Sequence, residues 1–310
     1  MTASARFDAV CLVGVGLIGS SLARAMRAAG LAGRIVGFDT DEKAAARAVE
    51  IGVVDAAAAD LATAAGAADL VILATPVGAT PAVTKALEGA AAPGATVINV
   101  GSVKGAVAAA AAAASGLAFV PCHPVSGTEQ SGPDAGFATL FRDRWCILTP
   151  LDRDDAAYKA AVGRVAALWS AVGARVEIMD ARHHDLALAV TSHLPHLIAF
   201  TLVGAADDLE TVEEAEIVKY SAGGFRDFTR IAASDPVMWR DVFLNNRDAV
   251  LEVLGRFTEE LFVLQRAIRW GDAEALEDAF KRGRALRRAI VDAGQETAAP
   301  NFGRDERAED

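Results

Sequence analysis

The 310-residue chain contains only five histidines, and four of them fall in two short clusters. The fifth, His123, sits in Pro121-Cys122-His123-Pro124-Val125-Ser126-Gly127-Thr128-Glu129, just after a predicted strand. Imidazole titrates near neutrality, which suits a base that takes a hydroxyl proton while hydride leaves the same carbon. Ligands of open α/β sheets bind beyond the carboxyl ends of the strands, so His123 is placed to face a bound ligand. A histidine that merely caps a loop is the competing reading, and the Pro- and Gly-rich flanks count against it. His183-His184-Asp185 reads most simply as a solvated or interdomain pair. In Ser192-His193-Leu194-Pro195-His196 the two histidines are three apart and share a helix face, which suggests substrate contact by one of them. Nothing nearby completes a ligand set, so no metal is expected. Gly223-Gly224-Phe225-Arg226-Asp227-Phe228-Thr229-Arg230 pairs two glycines, which let a backbone come close to something, with two arginines four apart. A guanidinium grips a carboxylate with two parallel prongs, although pairing with surface acids explains such arginines equally well.

A second chemistry-bearing segment is Gly14-Val15-Gly16-Leu17-Ile18-Gly19, a G-x-G-x-x-G run between a predicted strand and a predicted helix. Gly14 permits the tight turn, Gly16 lets the backbone approach a pyrophosphate, and Gly19 lets helix and strand pack closely. The free N–H groups and positive dipole end of the helix favour the phosphates. Asp39 follows Gly19 by twenty residues, at the end of the second predicted strand. A carboxylate there accepts from the ribose hydroxyls and repels a 2′-phosphate, so the expected cofactor is NAD and not NADP. Thr75-Pro76, ending a later strand, falls at the mouth of the same crevice, beside the nicotinamide ribose.

The elements that must position these groups come in two halves. Apolar runs at Ala9–Val13, Arg34–Phe38, Leu70–Ala74, Thr96–Val100, Ala118–Val120, Trp145–Thr149 and Arg175–Met179 read as strands, with helices such as Leu17–Ala29 and Asp41–Glu50 between them. Continuous apolar strands separated by helices imply a parallel sheet covered on both faces, an α/β Rossmann-type doubly wound fold over residues 1–180. The Ala-rich run Ala106–Ala114 reads as a surface helix of this half. Beyond Asp180, Ala181–Ala206, Val212–Tyr220, Met238–Arg269 and Ala273–Ala293 have helical spacing, so residues 181–310 read as all-helical, with a frayed end from about Gln295.

The bulk properties narrow the partners. A net charge of -11 argues against nucleic acid, whose phosphates require a basic surface. No stretch reads as the roughly 18 charge-free apolar residues of a spanning helix, and the start lacks a leader-like apolar core, so no membrane partner is expected. Cys11, Cys122 and Cys146 are sparse and odd in number, which reads as reduced thiols in a cytoplasmic protein.

Taken together, the segments resemble the prephenate dehydrogenase family, including arogenate and cyclohexadienyl dehydrogenases. The matching motifs are Val13 to Ser20, Gly101-Ser102-Val103-Lys104, His123-Pro124 through Glu129, Ser192 through His196, Gly223 through Arg230, and Ser234-Asp235-Pro236 with Met238-Trp239-Arg240. The glycine loop is common to many dehydrogenases, while the combination is specific and spans Val10 to Arg269. The resemblance implies NAD-dependent oxidative decarboxylation of prephenate or arogenate in tyrosine synthesis, by a homodimer joined through its helical domain. It implies that His123 accepts the hydrogen bond of the C4 hydroxyl and that Ser102 orients His123. It further implies that His196 and Ser192 touch substrate and that Arg230 binds the carboxylate, with Gly223 and Asp227 shaping its surroundings. Glu129 would line the opening to the site, and Trp239 would reach the site of the partner subunit. One departure is Asn99, where an Asp is expected before Gly-Ser-Val-Lys. The chain ends soon after the helical domain, so any feedback by tyrosine would act by competition. The competing readings are a 3-hydroxyacid dehydrogenase or imine reductase of similar plan, and a nucleotide sensor without catalysis.

Overall fold

The computed structural model describes residues 5–114, 116–128, 130–213 and 221–292. Eight strands form one sheet in the order β3-β2-β1-β4-β5-β6-β7-β8. They are β1 (Phe7–Val13), β2 (Ala32–Phe38), β3 (Ala56–Ala57), β4 (Leu70–Leu73), β5 (Thr96–Asn99), β6 (Ala118–Pro124), β7 (Trp145–Leu148) and β8 (Arg175–Ile178). Neighbours from β3 through β6 run parallel. The β7 strand runs antiparallel to β6, and β8 runs parallel to β7. The expected all-parallel sheet is therefore corrected at this edge, where two strands run the other way.

Alternation along β1 and β4 feeds two cores. Val10, Leu12, Leu70 and Ile72 face one side with Leu22 and Met26 of α1 (Leu17–Ala28) and Leu168 and Trp169 of α6 (Ala156–Ala171). Cys11, Val13, Val71 and Leu73 face the other side. There they meet Leu87 of α4 (Thr80–Leu87) and Val107 and Ala111 of α5 (Gly105–Ala113). Side chains in a strand point alternately to opposite faces, so a run apolar at every position can be buried only between two layers of helices. The Ala-rich α5 buries Val107 and Ala111 and turns its other side outward, as expected of a surface helix.

After the sheet the chain is helical, with α7 (Ala181–Leu188), α8 (Leu194–Glu213), α9 (Gly223–Thr229), α10 (Pro236–Asn245), α11 (Arg247–Trp270) and α12 (Ala273–Asp292). A π turn, Ala189–His193, joins α7 to α8. Pro195 has no N–H to give the carbonyl four residues back, and its ring crowds that carbonyl, so the helix widens just before it. The expected single helix Met238–Arg269 is broken at Asn246, whose side chain is held by the buried groups described below. Residues 214–220 and the end from Gln295, both assigned above, lie outside the described residues.

One sequence expectation needs correction. The helix over Ala181–Asp208 is long and apolar enough, by length and composition, to cross a membrane. About 28% of its apolar window is buried, and its buried members include the polar His184, Asp185 and His193 beside Leu188. By compactness the chain parts into Met1–Leu251 and Glu252–Asp310. The first unit extends past the sheet because Val77 and Val103 pack with Trp239 and Val242 of α10.

Candidate active site

The glycine loop follows β1 directly. Gly14 has φ +91°, and a Cβ there would lie 2.6 Å from the Ala74 carbonyl oxygen. A Cβ on Gly19 would overlap the Gly14 carbonyl oxygen and press on Leu12 and Ala74. At Gly16, by contrast, a Cβ would meet nothing within 4 Å, so the backbone faces open space. Helix α1 begins after Gly16 with no side chain capping its N–H groups. The Asp39 carboxylate accepts from the backbone N–H of Val15 at 2.9 Å and of Asp41 at 2.9 Å, which ties it to the loop. The Thr75 Oγ1, at the end of β4, is buried without a hydrogen-bond partner. Open backbone donors, a carboxylate at the second strand and an orphaned hydroxyl at the fourth fit a dinucleotide.

His123 is not in a loop after its strand, as expected, but on the strand itself. Pairing with β5 covers Ala118 to Pro121; from Cys122 to Pro124 pairing passes to β7, with His123 opposite Ile147. The antiparallel β7 lengthens β6 and fixes the imidazole on a rigid element. The ring is buried, with Nδ1 2.8 Å from Nε2 of His184. His184 Nδ1 in turn lies 2.8 Å from Asp185 Oδ1. Asp185 also accepts from the backbone N–H groups of Lys104 and Gly105, each at 2.7 Å, and so caps α5. Of the reading of His183-His184 as a solvated or interdomain pair, the solvated alternative holds for exposed His183 but fails for His184, which is fully buried against His123 of the sheet. Burial is the first cause holding the His123 pKa well below its ordinary value, followed by the nearby His184, Lys104 and His193. The ring is therefore neutral at neutral pH, as a proton acceptor must be.

Ser102 is half-buried in the turn before Lys104. Lys104 itself is fully buried, its Nζ donating to Asn99 Oδ1 at 3.0 Å and to the Cys122 carbonyl at 2.6 Å. Asn99, the departure noted above, also accepts from Gly101 N–H and donates to Thr80. Its local hydrogen bonding is thus complete, but it is neutral, and burial lowers the Lys104 pKa to about 8. The folded chain then binds fewer protons than the unfolded one between about pH 8 and the ordinary lysine value of 10.5, so stability rises with pH through that window. An Asn99→Asp variant supplies a counter-charge and raises the Lys104 pKa. Urea unfolding across the window should show the rise in the parent chain and a flatter profile in the variant. Identical slopes would remove Lys104 as the cause.

On the helical side, His196 Nδ1–H donates to the Ser192 carbonyl at 2.9 Å, leaving Nε2 as an acceptor. Its pKa is lowered, first by burial and then by the positive Arg230 nearby, which places these two expected substrate contacts close together. Arg230 is exposed just after α9, with Gly223 and Asp227 also exposed in that helix. Neither Gly223 nor Gly224 has any group within 4 Å of an added Cβ. Trp239 packs within its own chain. It is buried, with its ring stacked on that of His196 at 3.7 Å. Asp235 caps α10 and Pro236 opens it, which turns Trp239 inward. The Trp239 Nε1 is left without a partner. Glu129 lies outside the described residues. Among the described residues no cluster of three or more His, Cys, Asp or Glu could hold a metal.

A glycine loop opening a helix, a carboxylate on the second strand and a buried neutral imidazole farther along the sheet define a two-part dinucleotide-dependent dehydrogenase. The chain belongs to the prephenate dehydrogenase family, whose nucleotide-binding domain matches residues 22–178 and whose dimerization domain matches residues 180–282. It is 40% identical to the cyclohexadienyl dehydrogenase of Zymomonas mobilis over 92% of this chain and 96% of that one. It superposes with TM-score 0.84 and 36% identity on prephenate dehydrogenase from Aquifex aeolicus in complex with hydroxyphenyl propionate and NAD+, covering 91% of this chain and 98% of that one. Arogenate dehydrogenase from Synechocystis superposes with TM-score 0.73 and 27% identity, covering 91% of this chain and 99% of that one.

Proposed function

We propose that this chain oxidises and decarboxylates prephenate, arogenate or both with NAD, in tyrosine biosynthesis. The observation that carries the reading is His123, buried, neutral and fixed on β6 of the sheet that bears the glycine loop. Gly14, Val15, Gly16, Leu17, Ile18 and Gly19 would hold the pyrophosphate, Asp39 the adenosine ribose, and Thr75 and Pro76 the nicotinamide ribose. NAD, when bound there, would supply the acceptor for the hydride lost from C4 of the substrate ring. His123 takes the C4 hydroxyl proton, the ring carboxylate departs as carbon dioxide, and the ring becomes aromatic. Ser102 borders the hydroxyl. His196 and Ser192 contact the substrate from the helical side, and Arg230, close to His196, pairs with a carboxylate. Trp239, stacked on His196, fixes the plane of that ring. We place the functional boundary at residue 180, with the nucleotide half before it and the helical half after it.

Incubation with NAD and each substrate, followed by NADH absorbance, tests the reading; no reduction of NAD with either substrate would defeat it. The relative rates decide between the keto and amino side chains. A hydroxyacid dehydrogenase or imine reductase of this plan would use a catalytic Lys or Asp on the first long helix of its second half, where this chain offers His193 and His196. A non-catalytic sensor would have no use for a buried neutral base.

We also infer a cytoplasmic homodimer. Along α11 and α12, Leu261, Phe262, Ile268, Trp270, Phe280 and Leu286 are exposed, Phe262 at 63% and Trp270 at 73%. Apolar surface on this scale is normally covered by a partner, and the matching domain is a dimerization domain. Sedimentation equilibrium at micromolar protein should give twice the chain mass; a monomer there would count against the inference.

A further inference from the structure

A buried chain of three side chains leads away from His123, and its chemistry has one self-consistent proton arrangement. Both Asp185 oxygens accept backbone N–H groups at 2.7 Å, at the start of helix α5, so both oxygens are engaged as acceptors, as in a carboxylate. An ionised carboxylate has no proton to give, so His184 Nδ1–H must be the donor in the 2.8 Å bond to Asp185. The other nitrogen of the neutral His184 ring, Nε2, is then a bare acceptor. Across 2.8 Å it can only receive the Nδ1–H of His123. That leaves His123 Nε2 with its lone pair exposed to whatever the site holds.

We propose that Asp185 and His184 are positioning residues that lock His123 in the Nδ1–H form, so that Nε2 is the atom that takes the substrate proton. The proposal rests on the reading of His123 as the base. When Nε2 gains the hydroxyl proton, the new positive charge lies on a ring hydrogen-bonded to His184, which is itself hydrogen-bonded to the Asp185 anion. The other groups facing the pair are Lys104, whose charge opposes a cationic ring, and His193. Burial lowers the His193 pKa to about 4, so this ring is neutral near pH 7. His193 is held in turn by Asn246, whose amide donates to His193 Nδ1 at 3.0 Å and to the Asp185 carbonyl at 2.8 Å. The junction of α10 and α11 thus braces the same assembly.

The test reads protonation directly in the full chain labelled with 15N-histidine, without substrate, with the His123 signals assigned by their loss in His123→Asn. The parent chain should carry the His123 proton on Nδ1. In His184→Leu, which removes the acceptor, it should shift to Nε2, and turnover should fall about 10²-fold with NAD affinity unchanged. His184→Gln places an amide oxygen near the position of the lost Nε2, so it should keep the Nδ1–H form and recover most of the loss. A parent proton on Nε2 would overturn the proposal. So would equal impairment of the Leu and Gln variants, which is the signature of mere packing. The spectrum is read without substrate, so it stands even if neither candidate substrate is turned over.

Discussion

A His123→Asn variant should bind NAD as the parent chain does and lose about 10³-fold in turnover, within the range that a positioned proton acceptor contributes. Asparagine keeps a polar group of similar reach, and its amide can still donate to His184, so the buried relay is not left with an orphaned acceptor. What it lacks is a nitrogen lone pair that can accept a proton near neutral pH. Binding is measured by titrating NAD against intrinsic fluorescence, and turnover by NADH absorbance. The pH profile follows from the same group. Because burial holds the His123 pKa well below its ordinary value, kcat/KM in the parent chain should be flat through neutrality. It should fall only as acid protonates the ring. A fall beginning near the ordinary histidine value of 6.5 would assign the proton to a group other than this buried one.

Arg230→Ala should act on the other parameter. Removing one partner of a charge pair that becomes desolvated on binding costs about 2–5 kcal/mol, so the Michaelis constant for the acidic substrate should rise about 10²-fold. The turnover number should change by no more than about threefold, because a contact made equally in ground and transition states leaves the chemical step untouched. Arg230→Lys should recover only part of the loss, since an ammonium cannot offer the planar two-pronged geometry. An unchanged Michaelis constant in the alanine variant would remove Arg230 from carboxylate binding. A side benefit of the variant is that the His196 pKa should rise, because the neighbouring positive charge that helps lower it is gone.

The parts of the site that were legible in the sequence are those whose signal is local. The glycine loop carries its geometry in six consecutive residues, and Asp39 needs only the length of one helix and one strand to reach it. The strand positions follow from apolar runs, and all but the two-residue β3 are recovered within a few residues. What escaped was set by non-local pairing. The last three residues of β6 exist as strand because β7 returns alongside them, and no property of Pro121-Cys122-His123 announces an antiparallel neighbour more than twenty residues on. The break at Asn246 lacks glycine or proline and is fixed by bonds to Asp185 and His193. The role of His184 was missed for a different reason. Its signal was present: His184 is four residues before Leu188, Asp185 four before Ala189, and all four are buried, while His183, Leu186 and Val190 are exposed. Reading His183 and His184 as a pair, instead of as opposite faces of a helix, concealed the partner of His123.

Asp185 answers to two demands at once. Its oxygens end the hydrogen-bond deficit of one helix while fixing the protonation of a ring two side chains away. A replacement chosen to preserve solubility would be judged by the first demand, and one chosen to preserve rate by the second. Few residues short of aspartate satisfy both. This side chain falls in the segment that matches the dimerization domain and the helix it caps in the segment that matches the nucleotide-binding domain, so a chimera joined between the two would exchange the partners of this cap.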